Sequence, residues 1–192
     1  MKKKLLILIV AFNHEKFIHK VLDRINENLT NTYDVEILIN DDSSSDKTVK
    51  IAKDYIDNSE KKFKYTILSN PINQGYGGNQ KIGFLYAIKN NFDYVALVHG
   101  DGQYAPECLE LLLTPFSDNK IDAVFGSRMI NKNGAIQGGM PLYKFIGNKI
   151  LTIIHNILLN TNFTDAHTGY WAYRMNNFKK KFYLSITDGF NF

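Results

Sequence analysis

Two groups of carboxylates stand at the ends of apolar runs, where side chains are best placed to do chemistry. Asp101 closes the run Val95-Ala96-Leu97-Val98-His99-Gly100-Asp101-Gly102-Gln103. Four apolar residues lead straight into an acid flanked by glycines. Such an acid is suited to hold a divalent cation against a phosphate, although Asp-Gly is also a common turn pair. The second group ends Val35-Glu36-Ile37-Leu38-Ile39-Asn40-Asp41-Asp42, followed by Ser43-Ser44-Ser45-Asp46-Lys47-Thr48. Adjacent carboxylates repel, so Asp41 and Asp42 gain most when a ligand or cation takes up their charge. Asp46 reads as the start of a helix.

The elements around these acids alternate. Strands are expected over Leu5–Phe12, Val35–Asn40, Lys64–Ser69, Tyr94–His99 and Ile121–Gly126. Helices are expected over Glu15–Leu29, Asp46–Ile56, Gln80–Lys89, Pro106–Leu113 and Leu142–Leu159. Alternation of this kind predicts an α/β fold with a mainly parallel central sheet flanked by helices. In an open α/β sheet, ligands bind at the carboxyl ends of the strands, which is where both acidic groups lie.

The stretch Asn70-Pro71-Ile72-Asn73-Gln74-Gly75-Tyr76-Gly77-Gly78-Asn79 reads as a Gly-rich loop before a helix. It is neither a Walker loop, which ends in Gly-Lys-Ser/Thr, nor a Rossmann fingerprint, which needs glycine at Gln80. A helix N-terminus there could offer backbone amides to a diphosphate. In the helix after Pro141, Lys144, Asn148, Thr152 and His155 form one polar stripe and apolar residues cover the rest. That apolar surface is wider than a core-facing stripe requires. Burial in the core is the preferred reading; an interfacial helix that admits a polyprenyl chain is the alternative.

The 192 residues are read as one domain with a real core. The net charge of +4 suits anionic substrates or an anionic membrane face and is too weak to argue for nucleic acid. A single cysteine, Cys108, allows no internal disulfide and fits a reducing compartment. The opening Met1-Lys2-Lys3-Lys4 before an apolar run imitates a secretory signal, but no small-residue cleavage site follows. A buried first strand explains that run.

In order along the chain, these motifs resemble the family 2 glycosyltransferases of GT-A fold, in particular the branch like dolichyl-phosphate mannose synthase. The resemblance runs from Leu5 to about Arg174. Val10-Ala11-Phe12-Asn13-His14-Glu15 is similar to the opening strand-turn that lines the base pocket, which implies roles for Ala11, Phe12, Asn13 and Glu15. The stretch from Asp41 to Thr48 is similar to an Asp-Asp-Gly-Ser-x-Asp-x-Thr signature, whose acids hold base and ribose. Asn73, Gly75 and Gly77 match an Asn-x-Gly-x-Gly loop. His99-Gly100-Asp101-Gly102-Gln103 stands at the metal and diphosphate motif Asp-x-Asp-x-Gln. Gly126-Ser127-Arg128 and Asp165-Ala166-His167-Thr168-Gly169-Tyr170 correspond to acceptor-side motifs.

Two departures stand out. Ser43 replaces the usual glycine, a change that a polar loop should absorb at little cost. His99 replaces the first acid of the metal motif. Imidazole can ligate Mn²⁺ but suits Mg²⁺ less well, so Asp101 and Gln103 are expected to carry the cation, with His99 as a further ligand or a phosphate contact.

The resemblance implies a single GT-A type, Rossmann-like catalytic domain over residues 1–192, normally followed by C-terminal helices. It implies inverting transfer from a nucleotide diphosphate sugar, with Mn²⁺ or Mg²⁺, to a polyprenyl phosphate at the cytoplasmic face of a membrane. Alternatives are a saccharide hydroxyl in cell-surface polysaccharide or glycan synthesis, a sugar nucleotidyltransferase, or an inactive nucleotide-binding module. Arg128, at a strand end, is the candidate to hold an acceptor phosphate. Asp165, the acid of the acceptor-side motif, is the candidate base for a hydroxyl.

Overall fold

The computed structural model describes residues 1–130, 136, 140–177 and 188. A six-stranded sheet runs through it in the order β3-β2-β1-β4-β6-β5. The strands are β1 (Lys3–Ala11), β2 (Tyr33–Asp41), β3 (Lys64–Ser69), β4 (Tyr94–His99), β5 (Ala123–Phe125) and β6 (Trp171–Arg174). The helices are α1 (Ile18–Arg24), α2 (Leu29–Thr32), α3 (Thr48–Asn58), α4 (Gly75–Lys89), α5 (Leu109–Leu113) and α6 (Leu142–Leu159).

Strands β1 to β4 pair in parallel, with Ile7 opposite both Ile37 and Ala96. Alternation along β1 divides the core. Leu5, Ile7 and Ile9 face α1, α3 and α5, whereas Leu6, Leu8 and Val10 face α4. A strand covered on both faces must be apolar at every position, which is why the first apolar run forms a strand. Helix α4 comes so close to the sheet that a Cβ on Gly83 would lie 2.3 Å from Leu8 Cδ2. Because β2 lies on one side of β1 and β4 on the other, a crevice opens between the carboxyl ends of β1 and β4.

The expected fold class holds, with differences of detail. Of the expected helix Glu15–Leu29 only Ile18–Arg24 is helical, as α1, and the separate short helix α2 begins at Leu29. The expected helix Pro106–Leu113 is a 3₁₀ turn, Pro106–Cys108, followed by α5. Strand β6 was not anticipated. It runs antiparallel between β4 and β5, with Ala172 opposite Ala96 and Val124. The Arg174 guanidinium fixes its end by donating to the carbonyls of Phe116, Asp118 and Ile121.

Helix α6 has the boundaries expected but the opposite orientation to the preferred reading. Its polar stripe faces the protein: Thr152 is buried, Asn148 donates to Asp165 (3.0 Å) and Asn156 donates to Phe163 O (2.8 Å). Apart from Phe145, which is buried against Met129, its large apolar residues point outward, with Ile157 and Leu158 each 75% exposed. The polar side chains are drawn in because the loop they meet, residues 161–166, presents backbone groups that need partners. Among the described residues, no helix is long and apolar enough to cross a membrane.

Candidate functional site

At the end of β1 the chain turns through Asn13, whose φ of 56° is left-handed. The turn is fastened to the loop after β2. Asn13 N donates to Ser44 Oγ (2.8 Å), Ser45 N to Asn13 Oδ1 (2.9 Å), His14 N to Thr48 Oγ1 (2.7 Å) and Lys47 N to Glu15 Oε2 (3.1 Å). Asn13 and Glu15 therefore clasp one loop to another, while Ala11, Phe12 and His14 face the crevice.

The adjacent acids have different surroundings. Asp41, the last residue of β2, accepts from Ser44 N (3.0 Å), from the Ser44 hydroxyl and from Ser69 (3.3 Å). It is satisfied by the protein and does not line the crevice. Asp42 does line it. Its Oδ1 accepts from Asn70 Nδ2 (2.9 Å) and Gln74 N (2.8 Å), which fixes the following loop.

Ser43, between that pair and the hydroxyl cluster, has φ of +65°. A polar loop does not absorb this substitution for nothing, since a side chain in the left-handed region costs about 1–2 kcal/mol. Ser43→Gly should stabilise the fold by ~0.5–1 kcal/mol after the larger unfolded-state entropy of glycine is counted. Thermal denaturation should show a rise of about 1–4 °C; an unchanged or lower midpoint would show that Ser43 gains from a compensating contact.

The Gly-rich stretch is not a loop before a helix. Helix α4 already begins at Gly75, whose N–H is capped by Asn73 Oδ1 at 2.9 Å. The amides of Gly77 and Gly78 do not face the crevice. They donate to the carbonyl of Asp188 (2.8 and 3.2 Å), and the Asp188 carboxylate pairs with Lys81 at 2.7 Å. A diphosphate would find those amides taken. Asn73, Gly75 and Tyr76 do line the crevice.

These edges enclose a cavity of about 780 Å³, floored by His99 and Asp101 at the end of β4. His99 Nε2 shares a hydrogen bond with Tyr76 Oη at 2.8 Å, and its ring lies edge-on to Tyr76 and Tyr104. Burial lowers the His99 pKa to about 4, against the pull of Asp101, so the imidazole is neutral at physiological pH. Burial also raises the Tyr76 phenol above its ordinary range, so Tyr76 keeps its proton and can donate to Nε2. A Cβ at Gly169 would lie 2.7 Å from His99 Nε2. His99 is thus packed and engaged. Burial lowers the pKa of His14 as well, again opposed by Asp101. Gly100 is small because its Cβ would meet His14 Nδ1 at 2.7 Å.

Asp101 is partly exposed in the cavity, and one of its oxygens accepts from Gln103 N at 3.0 Å. Gln103 lines a neighbouring cavity of about 1030 Å³ and not the first one. Leu111, Phe125, Ile130 and Met140 give that second cavity apolar walls, and Arg128 and Lys144 bring positive charge. No carboxylate lines it among the described residues. Arg128 lies 4.9 Å over the Tyr104 ring and 3.8 Å from Asp165. Asp165 lines neither cavity; it is 2% exposed and held by Asn148 of α6. Arg128 Nε and Asp165 Oδ2 form a long ion pair without a hydrogen bond, and neither atom has a hydrogen-bond partner among the described residues.

Sequence reasoning did not single out His14, Tyr76, Tyr104 or His167, all of which line the first cavity. His14 and His167 stood inside quoted motifs, and Tyr104 directly follows Gln103; pairing with β6 and α4 is what brings them together.

The family model described as "Glycosyl transferase family 2" matches residues 6–182. The UDP-N-acetylglucosamine–dolichyl-phosphate N-acetylglucosaminyltransferase of Methanococcus voltae is 31% identical, over 90% of this chain and 70% of that protein. The polyprenol monophosphomannose synthase of Mycolicibacterium smegmatis is 24% identical, over 90% of this chain and 62% of that protein. Glucosyl-3-phosphoglycerate synthase from Mycobacterium tuberculosis, solved with Mn²⁺, uridine diphosphate and phosphoglyceric acid, superposes with a TM-score of 0.63 at 16% identity. That superposition covers 90% of this chain and 56% of the solved one, so this chain spans little more than half of it. The sheet is thus the GT-A fold that the motifs implied.

Proposed function

Because the chain belongs to glycosyl transferase family 2, we propose that it moves a sugar from a nucleotide diphosphate sugar to a polyprenyl phosphate. It stands in the branch of the dolichyl-phosphate mannose synthase-like enzymes. The observation that carries the choice of acceptor is the second cavity, which has apolar walls, two cationic side chains and no lining carboxylate among the described residues. A hydroxyl acceptor needs a base to take its proton, whereas a phosphate monoester is already anionic at neutral pH and needs cations to hold it.

In this reading the donor lies in the 780 Å³ cavity. Ala11 and Phe12 wall the base, and Asp42 turns its second carboxylate oxygen toward base or ribose. Asn73 and Gly75 close the same side. His99 and Tyr76, hydrogen-bonded to each other, add no charge to the side of the cavity that would face the diphosphate. Arg128 and Lys144 hold the acceptor phosphate in the second cavity, so that it attacks the anomeric carbon from the face opposite the departing diphosphate.

Asp101 suits a divalent cation: it is a hard carboxylate in the cavity with one oxygen engaged by a backbone amide. Among the described residues, no group of three or more acids, histidines or cysteines gathers into a cage. This pattern suits a cation held by one carboxylate and the substrate's own phosphates. Such a cation, when bound, neutralises the leaving diphosphate; the Mn²⁺ in solved relatives of the fold supports the choice. Gln103 would contribute through its backbone hydrogen bond to Asp101 rather than through its side chain. The exposed apolar face of α6 supports contact with a membrane surface, since Lys144 and Asn148 of the same helix line the acceptor cavity.

The test is incubation with a panel of nucleotide sugars, Mn²⁺ and a polyprenyl phosphate, monitoring nucleoside diphosphate release. One donor should support release that depends on the lipid phosphate. Release that depends instead on a saccharide and ignores the lipid would overturn the acceptor. With that nucleotide, Asp42→Asn keeps an oxygen for Asn70 and Gln74 but removes the charge, and should weaken binding by ~1.5–3 kcal/mol. Unchanged calorimetric affinity would return Asp42 to a purely structural role.

A further inference from the structure

The first turn of α4 is intrinsically weak and is held from two sides. Gly75, Gly77 and Gly78 are three of its first four residues, and glycine is a poor helix former. From one side Asp42, which lines the first cavity, accepts from Gln74 N at 2.8 Å. From the other, the Asp188 carbonyl accepts from the buried amides of Gly77 (2.8 Å) and Gly78 (3.2 Å). Asp188 follows Lys81 by 107 residues, yet its carboxylate reaches the Lys81 ammonium at 2.7 Å. The Lys81 side chain is only 12% exposed, so the pair is partly shielded from the water that weakens surface ion pairs. The glycines admit this contact: a Cβ on Gly75 would lie 2.7 Å from Asp188 O. Gly75 and Tyr76 of the same turn line the cavity, and Tyr76 carries the hydrogen bond to His99.

We propose that Asp188 is a positioning residue for the donor: its seat on α4 keeps Gly75 and Tyr76 in place against the nucleotide, and a bound nucleotide in turn holds Asp188 in its seat. The inference rests on the reading of the 780 Å³ cavity as the donor site. The N–H groups that open a helix have no partner within it, and here Asp42 and Asp188 each satisfy part of that set. With Asp188 unseated, the buried amides of Gly77 and Gly78 lose their acceptor, which a buried backbone group tolerates poorly. The turn then loosens, and Tyr76 with it. A donor that contacts Asp42, Gly75 and Tyr76 favours the ordered turn, and the ordered turn is the form that offers Asp188 its two amides. Coupling of this kind runs equally in both directions. Asp188 lines neither cavity, so it acts on the donor only through α4.

The experiment uses the donor found by the panel, and its nucleoside diphosphate with Mn²⁺, on Asp188→Ala, Lys81→Met and the double variant. Removing either charge frees the Asp188 carbonyl to leave its seat. Each single variant should weaken calorimetric nucleotide affinity and raise the donor KM by about fivefold or more. Values of kcat at saturating donor should stay within about twofold of the parent, because the reacting groups are untouched. The double variant should be no worse than the worse single one, since the two side chains act as a pair. Hydrogen exchange at the amides of Gly77 and Gly78 should slow when nucleotide binds the parent, and should be faster in both variants. Asp188→Asn, which keeps the shape if the alanine variant folds poorly, should fall between parent and Asp188→Ala. A role confined to folding would lower the melting temperature and kcat with affinity and KM unmoved, and would overturn the proposal. Unchanged affinity and exchange in the variants also overturn it, while leaving the proposed reaction intact. Failure of every nucleotide in the panel to bind the parent overturns the reading of the cavity itself, and the role of Asp188 with it.

Discussion

Asp101→Asn should remove nearly all transfer while leaving the protein folded. The substitution keeps an oxygen to accept the Gln103 amide, so the turn after β4 survives. What it removes is the one negative charge at the cavity floor suited to balance a cation on the departing diphosphate. Cation assistance of this kind contributes several kcal/mol. At about 1.4 kcal/mol per factor of ten, that predicts a loss on the order of 10³-fold in kcat. The melting temperature should move little, because the side chain is partly exposed and lines the cavity. Asp101→Ala should lose as much activity and slightly more stability. Titration with Mn²⁺ separates the explanations: a metal ligand predicts that high Mn²⁺ restores part of the lost rate. An Asp101→Asn enzyme of near-normal turnover would end the metal role.

Arg128→Ala should be the next most damaging change, and Asp165→Asn much milder. Arg128 is the cation of the apolar cavity nearest Tyr104. Losing its charge-assisted contact to a phosphate should weaken acceptor use by ~10²-fold, equivalent to about 3 kcal/mol. Asp165 is buried, faces neither cavity and sits 3.8 Å from Arg128. It can act only by orienting the guanidinium, so Asp165→Asn should cost about tenfold or less, expressed in the KM for the acceptor. In a background that already carries Arg128→Ala, Asp165→Asn should cost almost nothing more, because residues that act as a unit are not additive. Among the described residues, removing Arg128 leaves the buried Asp165 carboxylate with Asn148 alone, so the melting curve of that variant must accompany the kinetics. A loss of ~10²-fold or more for Asp165→Asn with Arg128 intact would point instead to a general base and a hydroxyl acceptor.

Much of this arrangement is legible in the chain, and the illegible parts share a physical cause. Strands β1, β2 and β4 announce themselves because a strand buried on both faces is apolar throughout and ends abruptly at polar residues. That Asp101 and the pair Asp41-Asp42 stand at one edge of the sheet follows from parallel register. Which of the two adjacent acids faces the cavity does not follow. It depends on where β2 ends, and Asp41 is spent on Ser44 before any ligand arrives. The start of α4 at Gly75 contradicts glycine's poor helix propensity. It is set by partners distant in sequence: Asp42 at Gln74, and Asp188 at Gly77 and Gly78. Strand β6 has four residues, too few for a period, and exists because β4 and β5 both offer it an edge. For α6, periodicity identified a polar stripe correctly and said nothing about which way it turns.

Helix α6 inverts the ordinary expectation of what evolution may change on a protein's outside. On most solvent-facing helices the oily positions are fixed by the core and the polar ones drift. Here Asn148, Thr152 and Asn156 each answer a specific donor or acceptor, at Asp165, Ala166 and Phe163. Related sequences should hold these three nearly constant, and should change position 148 only together with position 165. The outward residues Ile150, Ile153, Ile157 and Leu158 touch little of the fold. They should exchange freely among leucine, isoleucine, valine, methionine and phenylalanine, under pressure to remain greasy but not to keep any particular shape. A surface bound to another chain would hold shape as well, because side-chain packing between proteins is as demanding as in a core. The pattern of drift along this one helix is thus a historical record of whether its neighbour was a fluid or a solid.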